Sequence, residues 1–225
     1  MQKLPACIGI ILDGNRRWAK ANGLPKLEGH RRGLVHVSDC ARWVRDRGVR
    51  HLALYALSTE NLHRTKEEVS YLMDLAVEMA ENQLAELGRE NIRARFAGDM
   101  SLLPQEVRAA AAKVEAATAS NTGMTLWVCL AYGARAELAA AANAAANRGK
   151  KITEEVLAQS LWTAGMPDPD IIIRTGGEKR LSNFLLWQAA YSELFFIDAM
   201  WPDFSEEVLD AVLAEYATRE RRNGR

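Results

Sequence analysis

No stretch of this chain is apolar for long enough to cross a bilayer, and its first residues, Met1-Gln2-Lys3-Leu4-Pro5, lack the apolar segment of a secretory signal. Cysteine is scarce. Cys7, Cys40 and Cys129 are scattered, odd in number and never spaced as CxxC, which excludes a disulfide framework or a zinc site and points to a reducing compartment. An excess of one charge is also missing: 29 Lys and Arg balance 29 Asp and Glu, so no global field argues for nucleic acid or an anionic membrane. There is no Gly/Ser/Pro-rich linker and no internal repeat. A GxxxxGKS/T loop, GxGxxG, HExxH and GxSxG are all absent, which removes the familiar nucleotide, zinc-protease and serine-hydrolase machinery. With 225 residues the chain can build one sizeable core and is short for two domains, so the expectation is a single cytoplasmic domain over 1–225.

What is there alternates. Short β-branched or apolar runs at 7–12, 51–56, 92–97, 125–130, 171–174 and 194–197 read as strands, and helical patterns fall near 33–47, 66–88, 104–120, 134–147, 153–161 and 205–219. That order predicts α/β architecture: a mostly parallel sheet covered by helices on both faces. Across 66–88 the apolar positions Val69, Leu72, Met73, Ala76, Met79, Ala80, Leu84 and Leu87 make a broad face, either ordinary packing on the sheet or one wall of an apolar pocket.

Ligands of open α/β sheets bind beyond the carboxyl ends of the strands. Asp13-Gly14-Asn15-Arg16-Arg17-Trp18-Ala19 follows the first strand, putting a carboxylate and two guanidinium groups where a magnesium-bridged phosphate ester would bind. The alternative is a strand-to-helix turn that Asp13 or Asn15 caps. Arg174-Thr175-Gly176-Gly177-Glu178-Lys179-Arg180-Leu181-Ser182-Asn183 follows another strand, its paired glycines suited to a close turn among cations. Gly29-His30-Arg31-Arg32-Gly33 reads as a third anion-suited loop, with Lys26 upstream. Ser58-Thr59-Glu60-Asn61-Leu62-His63-Arg64 reads as a fourth, or as a capped helix start. Glu193 enters an apolar strand, which is costly unless the carboxylate is paired or binds metal.

Several of these segments, in this order, resemble the cis-prenyltransferases, the undecaprenyl diphosphate synthase family: 12–19 (LDGNRRWA), Gly29-His30, 54–64 (LYALSTENLHR), 121–123 (NTG), 174–187 (RTGGEKRLSNFLLW), 191–195 (YSELF) and 201–204 (WPDF). A DDxxD motif, by which all-helical prenyl synthases hold magnesium, is missing. The resemblance implies a Mg²⁺-dependent prenyl transfer between two isoprenoid diphosphates. Asp13 then looks like the magnesium carboxylate and Glu193 like a second ligand. Gly14, Asn15, Arg16, Arg17 and Trp18, with Lys26 and His30, look like the cradle of the allylic diphosphate. Ser58, Thr59, Glu60, Asn61 and Leu62 fall on the family's flexible loop, with Asn61 as proton acceptor and Asn15, His30 and Ser58 as further catalytic candidates. Arg64 matches another diphosphate donor, while Arg174, Arg180 and Ser182, with Leu181 between them, match the homoallylic site. Arg222-Asn223-Gly224 resembles an Arg-x-Gly element reaching a partner's site, which implies a homodimer.

The chain departs from the family pattern at Arg16, Lys26, Leu62, Thr65, Ala131 and Trp127. These positions lie near substrate placement and the apolar pocket, so a short-chain product is expected, with Trp127 capping the pocket if it points inward. An irregular condensation onto dimethylallyl diphosphate, giving a branched lavandulyl-type skeleton, is compatible with the same changes. Synthesis of the undecaprenyl carrier lipid is a further alternative. A non-catalytic subunit of a heteromeric transferase disagrees with the retained Asp13, Asn15 and Glu193. A phosphohydrolase would want a second Asp where Asn15 stands.

Overall fold

The computed structural model describes residues 4–220, the side chains of 83–85 excepted. Leu84 of the apolar face and the Arg222-Asn223-Gly224 element therefore lie outside the described residues. Six strands, β1 (Cys7–Ile11), β2 (His51–Ser58), β3 (Arg93–Ala97), β4 (Thr125–Tyr132), β5 (Ile171–Arg174) and β6 (Glu193–Phe196), form one sheet in the order β3-β4-β2-β1-β5-β6. Every pairing is parallel, so all the strands point their carboxyl ends to one edge. The helices are α1 (Asn15–Ala21), α2 (Lys26–Asp46), α3 (Lys66–Arg89), α4 (Gln105–Thr118), α5 (Ala134–Asn147), α6 (Glu154–Ala158) and α7 (Glu206–Thr218).

Strand side chains alternate between faces, and the core divides accordingly. Ile8, Ile10, Leu52, Leu54, Leu126, Val128, Ile171 and Ile173 pack on one face with α2, α3, α4 and α7. Cys7, Ala53, Tyr55, Trp127, Cys129 and Ile172 pack on the other with Ala134, Met166, Phe184 and Leu185. The three thiols are buried and unbridged. No described helix is long and apolar enough to cross a membrane.

The strand-to-helix turn offered for the segment after Asp13 is present as the short helix α1, but neither Asp13 nor Asn15 caps it: the N-cap is Gly14, with no side-chain cap. Helix α2 differs from the sequence expectation: it starts at Lys26 behind Pro25 rather than near 33, so Gly29, His30 and Gly33 belong to a helix and not to a loop. A Cβ on Gly29 would stand 2.1 Å from the Asn15 carbonyl oxygen, and one on Gly33 would stand 2.3 Å from Asn15 Oδ1. Four residues apart, the two glycines share one helix face. They are there to let α1 pack against α2, a tertiary requirement that local propensity does not announce.

The upper end of β2 is irregular, with register shifts against β4 between Tyr55 and Leu57 and between Leu57 and Ser58. Beside it Ala131 is fully buried at φ 47°, the left-handed region where Asn is better tolerated than Ala. The departure at Ala131 is thus a backbone matter as well as the loss of an amide.

Candidate active site

At the carboxyl edge of the sheet, the turn after β1 is pinned from three sides. The Asp13 amide donates to Thr175 Oγ1 (2.9 Å), Thr175 Oγ1 lies 2.6 Å from the Asp13 carbonyl oxygen, and the Trp201 amide donates to that same carbonyl (2.9 Å). The carboxylate is shared: Oδ2 accepts from Arg174 Nη2 (2.8 Å), and Oδ1 accepts from the Gly14 amide (2.7 Å) and faces Arg17 Nη2 (3.4 Å). Burial pushes the Asp13 pKa up, but the Arg174 hydrogen bond and charge, the Gly14 N–H and Arg17 outweigh it and hold the carboxyl below its ordinary value.

Arg174 ends β5 and is 4 % exposed. Its Nη1 donates to the Arg180 carbonyl (2.6 Å) and to Ser182 Oγ (2.7 Å), while Nε has no partner. Gly176 and Gly177 take φ of 81° and 78°, as the paired glycines suggested. Their amides do not face a ligand, however: they donate to the carbonyls of Ala199 and Ile197 (2.8 Å each). The donors of this loop are side chains, those of Arg174, Arg180 and Ser182. Arg180 itself pairs with Glu178 (2.5 Å).

The segment after β2 serves both readings at once. Ser58 Oγ accepts from the Asn61 amide (3.2 Å) and Asn61 Oδ1 from the Ser58 amide (3.3 Å), a reciprocal cap on the 3₁₀ turn Thr59–His63. The same Ser58 and Asn61 line a polar cleft with Asp13, Asn15, His30, Glu60, Arg64, Arg174, Arg180 and Ser182. Glu60 accepts from Asn183 Nδ2 (2.9 Å), tying this loop to the Arg174–Ser182 loop, and Thr59 donates to Glu60 (3.3 Å).

Glu68, on the first turn of α3, escaped the sequence reading; the signal that could have found it is Thr65-x-x-Glu68, a helix-start pattern. Thr65 does cap the Glu68 amide (3.4 Å), but the carboxylate, 3 % exposed, is the meeting point of a cation cluster. Arg64 Nη1 is 2.9 Å away, His30 Nε2 3.3 Å, Lys26 Nζ 3.6 Å and Arg16 Nη1 3.9 Å. Arg16, Lys26 and His30 are among the residues that the resemblance gives to the allylic diphosphate, and Arg64 is its further diphosphate donor. Burial and the neighbouring Arg64 charge hold His30 below its ordinary pKa, so it is neutral at pH 7.

Beneath the cleft an apolar cavity runs between the sheet and helices α2, α3 and α4. Leu72, Leu75, Ala76, Met79 and Ala80 of α3 form one wall, so the apolar face of that helix is a pocket wall as well as core. Leu12, Asn15, His30 and Leu57 line both compartments. Asn15 Oδ1 is buried there without a hydrogen-bond partner.

Several expected site residues stand elsewhere. Glu193 opens β6 in register with Ile171, which pairs with Ile8, whereas Asp13 lies five residues past Ile8. The two carboxylates are at opposite ends of the sheet, on the order of 15 Å apart, and cannot share one metal within a chain. Glu193 is satisfied instead by Arg219 Nη1 (2.6 Å), whose guanidinium sits 4.1 Å over the Phe195 ring. Trp127 is 6 % exposed on the sheet face opposite the cavity, its Nε1 donating to His51 Nδ1 (3.4 Å), so it does not cap the pocket. Trp18 donates to Asp203 (2.7 Å), Leu62 packs with Leu57 and Met73, and Leu181 packs on the second sheet face; none of the three lines the cleft.

Among the described residues no three His, Cys, Asp or Glu groups cluster to hold a metal. A magnesium ion is commonly held by one or two carboxylates plus substrate phosphates and water. Asp13, at the open edge of the cleft, fits that arrangement.

The comparisons with known proteins agree with this geometry. Residues 11–224 match the prenyltransferase family model for undecaprenyl diphosphate synthases. An isoprenyl transferase of Rhizobium meliloti is 47 % identical, with 98 % of this chain and 92 % of the relative covered. The ditrans,polycis-undecaprenyl-diphosphate synthase ((2E,6E)-farnesyl-diphosphate specific) of Micrococcus luteus is 43 % identical over 99 % of this chain and 92 % of that protein. The crystal structure of lavandulyl diphosphate synthase from Lavandula x intermedia in complex with dimethylallyl diphosphate superposes with a TM-score of 0.94 at 34 % identity, covering 99 % of each chain. A polar cleft at the carboxyl edge of a parallel sheet, opening into an apolar cavity, is what joining a diphosphate head to a prenyl tail requires, and with these matches the chain belongs to the undecaprenyl diphosphate synthase family of cis-prenyltransferases.

Proposed function

We propose that the chain transfers a prenyl group from an allylic diphosphate to isopentenyl diphosphate, forming one carbon–carbon bond with loss of a proton and release of pyrophosphate, and that its product is short. The observation that carries this reading is the wall shared by cleft and cavity at Leu12, Asn15, His30 and Leu57. An anionic head lies among Arg16, Lys26 and Arg64 while its tail lies against Leu54, Ala76 and Met79. Charge that develops on the departing pyrophosphate meets fixed cations in a partly desolvated site, where such stabilisation is largest. Arg174, Arg180 and Ser182 hold the second diphosphate. Asn61 and Ser58, already tied to one another, face the cleft where the proton is lost. The apolar cavity keeps water from the allylic cation. Asp13 would hold magnesium together with phosphate oxygens, where the ion would supply Lewis-acid neutralisation of diphosphate charge.

Support for a short product comes from the cavity floor. Leu87, Val114 and Leu126 close it, and Leu126 stands four residue steps below Leu130, about 13 Å along β4. The likeness to lavandulyl diphosphate synthase favours a second reading, in which dimethylallyl diphosphate is also the acceptor. The enzyme acts as a homodimer in this reading; support comes from the uncovered apolar side chains Tyr191, just before β6, and Leu194, on that edge strand, since exposed sheet edges are surfaces for association.

The deciding experiment supplies Mg²⁺ and pairs drawn from dimethylallyl, geranyl, farnesyl and isopentenyl diphosphates, with products identified by mass and NMR. Short linear products that need isopentenyl diphosphate are expected. A branched product from dimethylallyl diphosphate alone supports the second reading. A long polyprenyl product overturns the chain-length assignment, and no product from any pair overturns the whole.

A further inference from the structure

Glu68 is the anomaly of the site: a carboxylate held among residues that are to receive an anion. It is 3 % exposed, while the side chains that converge on it stay open to solvent, Arg64 at 28 %, Lys26 at 47 % and Arg16 at 52 %. Each of these cations has several N–H groups, and the contact with Glu68 occupies the buried side only. Their remaining donors are open to solvent, and Arg64 itself lines the cleft. Without a central anion, Arg16, Lys26 and Arg64 would repel one another at this spacing. With it, three permanent cations and one carboxylate leave the cluster at +2, and His30 adds nothing while neutral.

We propose that Glu68 is the resident counter-anion of the allylic diphosphate site, a positioning residue that gathers Arg16, Lys26, His30 and Arg64 before substrate arrives and weakens their hold on pyrophosphate enough for it to leave. The inference rests on the prenyl-transfer reading above and adds to it a residue that touches no reacting atom. Its consequence runs against intuition. Removing the charge and keeping the shape, as in Glu68→Gln, raises the cluster from +2 to +3 and tightens pyrophosphate binding, whereas a residue with only a scaffolding role would loosen it.

The test is calorimetric titration of inorganic pyrophosphate into the unsubstituted protein, Glu68→Gln and Glu68→Asp. Glu68→Gln is expected to bind about tenfold more tightly at low ionic strength, with the gain shrinking as salt screens the extra charge. In steady state its KM for the allylic substrate and its kcat should fall together, because product leaves more slowly. Glu68→Asp keeps the charge and is expected to stay within about threefold of the unsubstituted protein. Equal or weaker binding by Glu68→Gln overturns the proposal. If Glu68→Gln does not fold, Glu68→Asp decides alone: affinity kept within that range supports a role for charge, and a tenfold or greater loss overturns it. Failure of the unsubstituted protein to bind pyrophosphate and to condense prenyl diphosphates would instead remove the functional reading on which this rests.

Discussion

Asp13 gives both carboxylate oxygens to donors fixed by other elements, Oδ2 to Arg174 of β5 and Oδ1 to the Gly14 amide that opens α1. Asp13→Asn keeps the size and one acceptor but removes the charge. Turnover is expected to fall by about 10³-fold, read as product formed from radiolabelled isopentenyl diphosphate. The substitution also leaves Arg174, at 4 % exposure, without its anion, a cost of about 2 kcal/mol that a folded domain tolerates; circular dichroism should show a lower melting midpoint and an intact fold. Trp127 and its neighbour Leu126 make a second contrast, because adjacent strand residues face opposite sides of the sheet. Trp127→Ala empties a site behind the cavity and is expected to cost about 3–5 kcal/mol without altering product length. Leu126→Ala deepens the cavity floor, and product analysis by mass should show longer chains.

At the scale of elements, α1 and α2 show how packing overrides propensity. Gly29 lies inside α2, where Ala would ordinarily add about 1 kcal/mol of helix stability. Here the added Cβ would stand 2.1 Å from the carbonyl oxygen of Asn15, which is backbone and cannot step aside as a flexible side chain would. Gly29→Ala should therefore lower the melting midpoint and displace α1. Because α1 carries Asn15, Arg16 and Arg17, the variant should lose affinity for the allylic substrate more than for isopentenyl diphosphate, which separate KM measurements would reveal. The strands were legible as short β-branched or apolar runs, as in a parallel sheet buried on both faces, and the long helices α3, α4, α5 and α7 by their helical patterns. Helix α1 was legible only as one of two readings of the turn after Asp13, and the start of α2 was not, since a seven-residue helix carries little periodic information and paired glycines resemble a loop until their neighbours are known.

At the scale of the whole molecule, burial sets the acid response. His30, His36 and His51 are each held below the ordinary 6.5, with burial the largest cause, and the charge of Arg64 at His30 and of Arg50 at His51 adds to it. As pH falls below 6.5 the unfolded chain takes up protons on these groups that the folded chain refuses, so stability declines. Asp13, Glu60 and Glu68 are held below their ordinary carboxyl values, and their contribution is lost only at more acid pH, below about 4. The urea midpoint is expected to be lower at pH 5.5 than at pH 7.5, and an unchanged midpoint would refute the assignment.

The sequence by itself determined the alternation of strands and helices, and with it the parallel sheet whose carboxyl edge carries Asp13, Ser58 and Arg174, because strand period and strand-end position are local properties. Motif order also carried the family. Tertiary structure alone decided what each charged group meets. Glu193 looked like a partner for Asp13, yet strand register puts the two at opposite ends of the sheet. Trp127 looked able to enter the pocket, yet the pleat turns it to the other face. Glu68 drew no reading from the sequence, yet α1 and α2, both distant in sequence, bring Arg16, Lys26 and His30 to it beside its own neighbour Arg64. Which face a side chain takes is settled by pairing register, and which charge it meets is settled by packing between segments far apart in the chain; neither is written in the residues beside it.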